Sequence, residues 1–203
     1  IPGFLKKPGI FSRNKMPQRP IPLFASRYYH IFNRGNNRQP IFFERENYFY
    51  FLRQLRKYFT LDRVEIVAYC LMPNHFHLLV YLKSDNFAAL MQPFALSYAK
   101  AINRRFKRTG SLFEGPFKSI LVDKNEYLLH LSRYIHANPT AARLVKRAED
   151  WEFSSYRDYL GLREDDLVHP EIVMHQFDVP TYRQFVEEYQ PSDSKKISQL
   201  LFD

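Results

Sequence analysis

The stretch Met72-Pro-Asn-His-Phe-His-Leu-Leu-Val80 places two histidines on either side of one phenylalanine, at the start of an apolar run. Side chains alternate between faces along a β-strand, so His75 and His77 share one face. Phe76, Leu78 and Val80 share the other, which points into a core. Two imidazoles on one face of a rigid strand are the start of a metal site. The same pair also suits ordinary surface or half-buried strand histidines, so the metal reading needs a third ligand and a nucleophile elsewhere in the chain.

Asn125-Glu-Tyr-Leu-Leu-His-Leu-Ser-Arg-Tyr-Ile-His-Ala-Asn-Pro139 supplies candidates for both. Asp123 and Glu126 have capping-box spacing and open a helix at about residue 124. Pro139 is expected to close it after Asn138, because the residue before a proline is pushed out of the α region. Within it His130, Tyr134 and Asn138 recur every fourth position and form one stripe, beside an apolar stripe of Leu128, Leu131 and Ile135 that would dock the helix. A tyrosine one turn from an amide, near two strand histidines, suggests metal-assisted phosphoryl transfer. The cation would polarise a phosphate and Tyr134 would attack it. A tyrosine has an ordinary pKa of about 10, so it needs a nearby cation or base to do this at neutral pH. The Asn138 oxygen would complete a set of two imidazoles and one hard oxygen, which suits Mg²⁺ or Mn²⁺. The competing reading is that Tyr134, one of 14 tyrosines, simply packs.

These residues need a frame. Tyr28 to Asn33 reads as a strand, closed by the turn cluster Arg34-Gly35-Asn36-Asn37. Glu44 to Tyr58 is a helix, with Tyr48, Phe51, Leu52, Leu55 and Phe59 at helical spacing. Val64 to Leu71 and His75 to Leu82 are two strands joined by Pro73-Asn74, an antiparallel hairpin. Asn86 to Phe106 is a long helix with Leu90, Phe94, Tyr98 or Ala99, Ile102 and Phe106 inward. Phe117 to Val122 is a fourth strand. The order βαββαβ predicts an α+β sandwich, with helices on one face of an antiparallel sheet. The other face is expected to be free, as in modules that bind RNA there, with the Tyr134 helix beside it.

The chain has 203 residues and is 45% hydrophobic, enough for a real core. Lys and Arg number 30 against 21 acidic residues, a formal charge of +9 that favours a polyanionic partner, most often nucleic acid. Anionic membrane surface is the competitor, but there is no apolar run of 18 or more residues to span a bilayer. The start, Ile1-Pro-Gly-Phe-Leu-Lys-Lys-Pro8, lacks the continuous apolar core of a secretory signal. The single Cys70 excludes an internal disulfide and predicts a cytoplasmic protein. Residues 1–24, rich in proline and basic residues, read as an extended, poorly packed arm.

Five motifs in order carry a resemblance: Tyr29-His-Ile-Phe-Asn-Arg-Gly-Asn36, Met72-Pro-Asn-His-Phe-His-Leu-Leu79, Phe117-Lys-Ser119, Arg133-Tyr-Ile-His-Ala-Asn-Pro139 and Trp151-Glu-Phe-Ser-Ser-Tyr-Arg-Asp-Tyr-Leu-Gly161. With them the chain resembles the HUH-type single-tyrosine transposases of small insertion sequences, in particular the REP-associated branch. The resemblance implies a ferredoxin-like catalytic domain over residues 25–160, and residues 161–203, which match the family weakly, are expected to form a C-terminal helical appendage. It also implies divalent-metal cleavage of single-stranded DNA near a hairpin or palindrome, through a 5′-phosphotyrosine that leaves a free 3′-OH. By motif, His75 and His77 become the metal pair and Tyr134 the nucleophile. Asn138 stands where several relatives carry the longer Gln. The branch implies a monomer, whereas its insertion-sequence relatives are homodimers that exchange the tyrosine helix. A domesticated DNA- or RNA-hairpin-binding module without catalysis is the alternative function.

Other residues have narrower readings. Arg104, Arg105, Lys107 and Arg108 crowd a helix end beyond what the helix dipole asks for, and are expected to touch DNA phosphates. Lys118 is a further phosphate-contact candidate. His130 is a possible support for Tyr134, and His136, two positions on, faces elsewhere and is not expected to be catalytic. His30 lies in the first-strand motif on a face that cannot be assigned. Asp166, His169, Glu171 and His175 read as a solvated tail. Trp151, Phe153 and Tyr156 read as a hydrophobic clasp over the core. Aromatics on the free sheet face remain candidates for base stacking.

Overall fold

Two periodicities in the sequence, one of 3.6 residues and one of two, become six elements in the order expected. The computed structural model describes residues 23–190. They are β1 (Arg27–Arg34), α1 (Arg45–Tyr58), β2 (Val64–Met72), β3 (His75–Leu82), α2 (Phe87–Arg105) and β4 (Lys118–Val122). The strands form one antiparallel sheet in the order β2-β3-β1-β4, so the α+β, ferredoxin-like arrangement is what the chain adopts. The arm expected at residues 1–24 falls outside the described residues except for its last two, and of those Leu23 is buried in the core.

Strand alternation sorts the sheet into two faces. Phe76, Leu78 and Val80 turn towards α1 and α2, where Phe76 meets Phe51 with ring centroids 5.1 Å apart. Phe51 in turn lies edge-on to Phe94 of α2 at 4.9 Å. The Tyr98 hydroxyl donates to the Ile41 carbonyl at 2.8 Å, which satisfies the one polar atom of a fully buried ring. On the opposite face, register places Phe32 of β1 across from His77, His77 across from Cys70 of β2, and Phe32 across from Lys118 of β4.

That second face is not free. The helix α3 (Asn125–Ala141) lies across it, chiefly over β2, with Leu128, Leu131 and Ile135 buried as the spacing predicted. Each such side chain contributes about 1.5–3 kcal/mol by leaving water. Phe32 is buried here rather than presented for base stacking. Two expectations about this helix are corrected. Lys124 is its N-cap with no side-chain cap, so Asp123 sits one residue too early for a capping box. Pro139 does not end the helix, which runs on to Ala141. Pro139 lies in the last turn and is buried, so it forfeits one backbone hydrogen bond where little helix remains to be broken. A reciprocal capping box does occur at α1, between Glu44 and Asn47.

Beyond α3 the chain folds back along β2. The Leu71 amide donates to the Phe153 carbonyl at 2.9 Å, and the Ser155 amide to the Tyr69 carbonyl at 3.0 Å. Trp151 Nε1 donates to the Leu71 carbonyl at 3.0 Å, and Phe153 stacks on Tyr48 at 4.0 Å. This is the expected clasp, and it also covers the β2 edge. Short helices α4 (Tyr156–Tyr159) and α5 (Glu171–Met174) lead to α6 (Val179–Glu187), which packs on α3 through buried Tyr182 and Val186. The side chain of Asp178 caps α6 by accepting from the Thr181 amide at 2.8 Å.

Candidate active site

β3 delivers the two histidines to the α3 side of the sheet, with ring centroids 4.9 Å apart. His75 opens the strand, directly after the Pro73-Asn74 turn. That turn is held from outside: the Gly35 amide donates to the Asn74 carbonyl at 2.8 Å, and Asn74 Nδ2 donates to the Arg38 carbonyl at 3.2 Å. Gly35 is required sterically, since a Cβ there would stand 1.9 Å from the Gln39 carbonyl oxygen. His75 Nδ1 lies 2.6 Å from Asn74 Oδ1 and donates to it, which leaves Nε2 with its lone pair.

His77 is fully buried. Its Nδ1 is 2.9 Å from Nε2 of His30, and the two rings stack with centroids 5.0 Å apart. His77 Nε2 and His30 Nδ1 are buried with no hydrogen-bond partner among the described residues. Burial keeps all three imidazoles neutral. It lowers His30 to about 3 and His77 well below its ordinary range. It lowers His75 to about 4, opposed by the nearby Asn138 side chain and reinforced by the charge of Arg34.

Helix α3 brings Tyr134 edge-on to His77, with centroids 5.4 Å apart, and within 6.4 Å of His30. The tyrosine thus faces the histidines of its own chain. It is 8% exposed, with Tyr189 beyond it at 6.5 Å. Burial raises its pKa, and the nearby Asn138 side chain works the other way. Asn138 Nδ2 donates to the Tyr134 carbonyl at 2.8 Å.

His75, His77, Tyr134 and Asn138 are gathered into one place, with Lys118 exposed on the same face one strand beyond Phe32. His130 is not drawn in: it is exposed on α3 with its ring 5.7 Å from Phe185. The basic cluster ends α2, in the layer on the other side of the sheet. There Arg105 pairs with Glu44 at 3.1 Å and the Arg108 guanidinium lies 5.2 Å from the Phe43 ring centre. The loop that follows passes the end of β1, where the Asn36 amide meets the Leu112 carbonyl at 2.9 Å, so the cluster and His75 lie at the same end of the sheet.

What holds α3 in place is a chain of buried hydrogen bonds through His136. Its Nδ1 is 2.7 Å from the Tyr182 hydroxyl and its Nε2 is 2.8 Å from Ser155 Oγ. The Tyr182 hydroxyl donates to Ser132 Oγ at 3.1 Å, and Ser132 donates to the Leu129 carbonyl at 2.8 Å. Ser155 Oγ accepts from the Tyr69 amide at 2.8 Å. Because the Tyr182 hydroxyl donates to Ser132, His136 donates to that hydroxyl from Nδ1, and because burial keeps the ring neutral its Nε2 accepts from Ser155 Oγ. The histidine is structural, as its offset from Tyr134 suggested.

Sequence reasoning left His30 without a face and passed over Asn74. The signal for His30 was present: Tyr29 and Ile31 are apolar and core-directed, so His30 and Phe32 must take the other side, with His77.

The donor set suits a divalent cation: His75 Nε2 with its lone pair, the partnerless buried Nε2 of His77, and the amide oxygen of Asn138. It holds no carboxylate, and among the described residues no group of three or more His, Cys, Asp and Glu side chains is arranged to hold a metal ion. No helix among them is long and apolar enough to cross a membrane.

The profile of the IS200-like transposase family matches residues 24–138. A Haemophilus influenzae protein named as a REP-associated tyrosine transposase is 27% identical over 103 residues, 45% of this chain and 58% of that one. The match thus spans little more than half of that relative's length. A solved structure of a REP-associated tyrosine transposase bound to a REP hairpin superposes with a TM-score of 0.58 at 16% identity, over 76% of this chain and 98% of the other. At that identity the likeness establishes a shared fold.

Proposed function

The chain belongs to the IS200-like transposase family, and on that footing we propose that it cleaves and rejoins single-stranded DNA at hairpin or palindromic sites through Tyr134. The observation that carries this reading is the convergence, within one chain, of Tyr134 on His77 with His75 beside it. The solved relative's hairpin supports the choice of substrate, and the chain's charge of +9 suits a nucleic acid.

The Tyr134 oxygen attacks the scissile phosphorus. An O–P bond forms to the tyrosine, the P–O3′ bond breaks, and the departing 3′ oxygen takes a proton. The tyrosine ends as a 5′-phosphotyrosine, and a 3′-OH attacking it later restores a DNA strand and the free tyrosine. Burial opposes loss of the phenol proton, and the nearby Asn138 side chain works the other way. His75 and His77, with Asn138 as third ligand, would hold Mg²⁺ or Mn²⁺, the nitrogen-rich set favouring Mn²⁺. When bound, such a cation offsets negative charge on the phosphate oxygens. Lys118 and the Arg104–Arg108 cluster would contact phosphates on either side. The site is complete in one chain, which supports a monomer.

A single-stranded hairpin incubated with the protein and Mn²⁺ tests the reading. A covalent protein–DNA adduct is expected, and Tyr134→Phe removes it while retaining hairpin binding. The burial of Tyr134 favours a second reading, hairpin binding without cleavage. Hairpin binding by wild type with no adduct would establish that reading and remove the first.

A further inference from the structure

We infer that His30 is a positioning residue, which holds His77 in the one tautomer and orientation that turns its Nε2 lone pair towards Tyr134. The inference rests on the proposal that His77 is a metal ligand. The 2.9 Å bond between His30 Nε2 and His77 Nδ1 contains a single proton, because both rings are buried and neutral. It has two arrangements. In one, His30 donates, and His77 then carries its proton on Nε2, pointing an N–H where a cation would bind. In the other, His77 donates from Nδ1 to His30, and Nε2 is left as a lone pair. Only the second makes a ligand.

Imidazoles that bind metals usually give their other N–H to a carboxylate, a backbone carbonyl or water. Here the acceptor is a second imidazole, delivered by β1 from 47 residues upstream. It is stacked on His77 with planes 27° apart, so the two rings are fixed against tilting as a pair. Phe32, on the same face, closes the site from the side, with its centroid 4.9 Å from His30 and 6.1 Å from His77. His75 is oriented in the same manner by Asn74 Oδ1. Each of the two ligands thus has its own acceptor, and the two acceptors come from different places in the chain.

Titrating Mn²⁺ into the metal-free full chain, by calorimetry, compares wild type with His30→Leu, His30→Gln and His77→Ala. Leucine fills the space but accepts nothing, whereas the glutamine oxygen accepts from His77 Nδ1. His30→Leu should bind Mn²⁺ about 10–100-fold more weakly, as for other lost partners of metal ligands. His30→Gln should restore most of that affinity. Equal loss in both variants, or no loss in either, overturns the role. If His77→Ala binds as wild type does, the metal-ligand reading itself falls and His30 falls with it. Loss in His77→Ala with none in His30→Leu removes His30 alone. Should the leucine variant not fold, nitrogen NMR of the wild-type imidazoles with Mg²⁺ decides. The proton of His77 must be on Nδ1, and a proton on Nε2 overturns the inference.

Discussion

The Asn138 side chain works against burial at Tyr134, and its Nδ2 is bonded to the Tyr134 carbonyl at 2.8 Å. Asn138→Ala should therefore slow adduct formation about tenfold, the equivalent of one hydrogen bond of about 1.4 kcal/mol, while Asn138→Gln keeps it. Single-turnover adduct yield measures this. His136 has a different consequence. Burial lowers it from 6.5 to about 3, so the unfolded chain takes up a proton as pH falls through 6.5 and the folded chain does not. Its contribution to stability is whole above pH 6.5 and is lost progressively as pH falls from there towards 3, by about 1.4 kcal/mol per pH unit. Denaturant unfolding with chelator present, between pH 6 and 4, should show that much less slope in His136→Gln. At this scale the sequence was legible where one strand or helix decides the outcome. The shared face of His75 and His77 follows from alternation, and the Tyr134–Asn138 stripe from helical spacing. The partners of His30 and His136 were not legible, because they are 47 and 46 residues away and pairing at that separation is set by register and packing.

Elements were legible for a similar reason. Each has a periodic apolar face, and the boundaries found lie within one or two residues of those expected, apart from α3. There a local rule about proline lost to packing, since the turn containing Pro139 is buried and worth completing. The turn at Gly35 shows the reverse, a local demand that packing cannot relieve. A methyl group at Gly35 meets backbone, the Gln39 carbonyl, rather than a side chain able to move. Gly35→Ala is expected to destabilise the protein by about 2 kcal/mol, within the usual range for a strained substitution. Because the same turn grips Asn74, it should also weaken Mn²⁺ binding at His75. Thermal unfolding and Mn²⁺ titration of the one variant check both effects, and loss of stability without loss of binding would separate the turn from the site.

The whole molecule puts Tyr134, the proposed nucleophile, and the histidines in one chain. Mixing Tyr134→Phe with His77→Ala should then give no adduct, since neither protein holds a complete site and none is assembled between them. Recovery of adduct in the mixture would show exchange of α3 between copies. The sheet itself sets another bound on assembly. Its β2 edge is already occupied by residues 153–155, whose backbone is bonded to Tyr69 and Leu71. Strand-to-strand association therefore cannot use that side of the sheet, where an incoming strand would find the Tyr69 and Leu71 backbone groups already bonded. The backbone that folds over β2 is in this sense a chain terminator, which denies the sheet growth from that side.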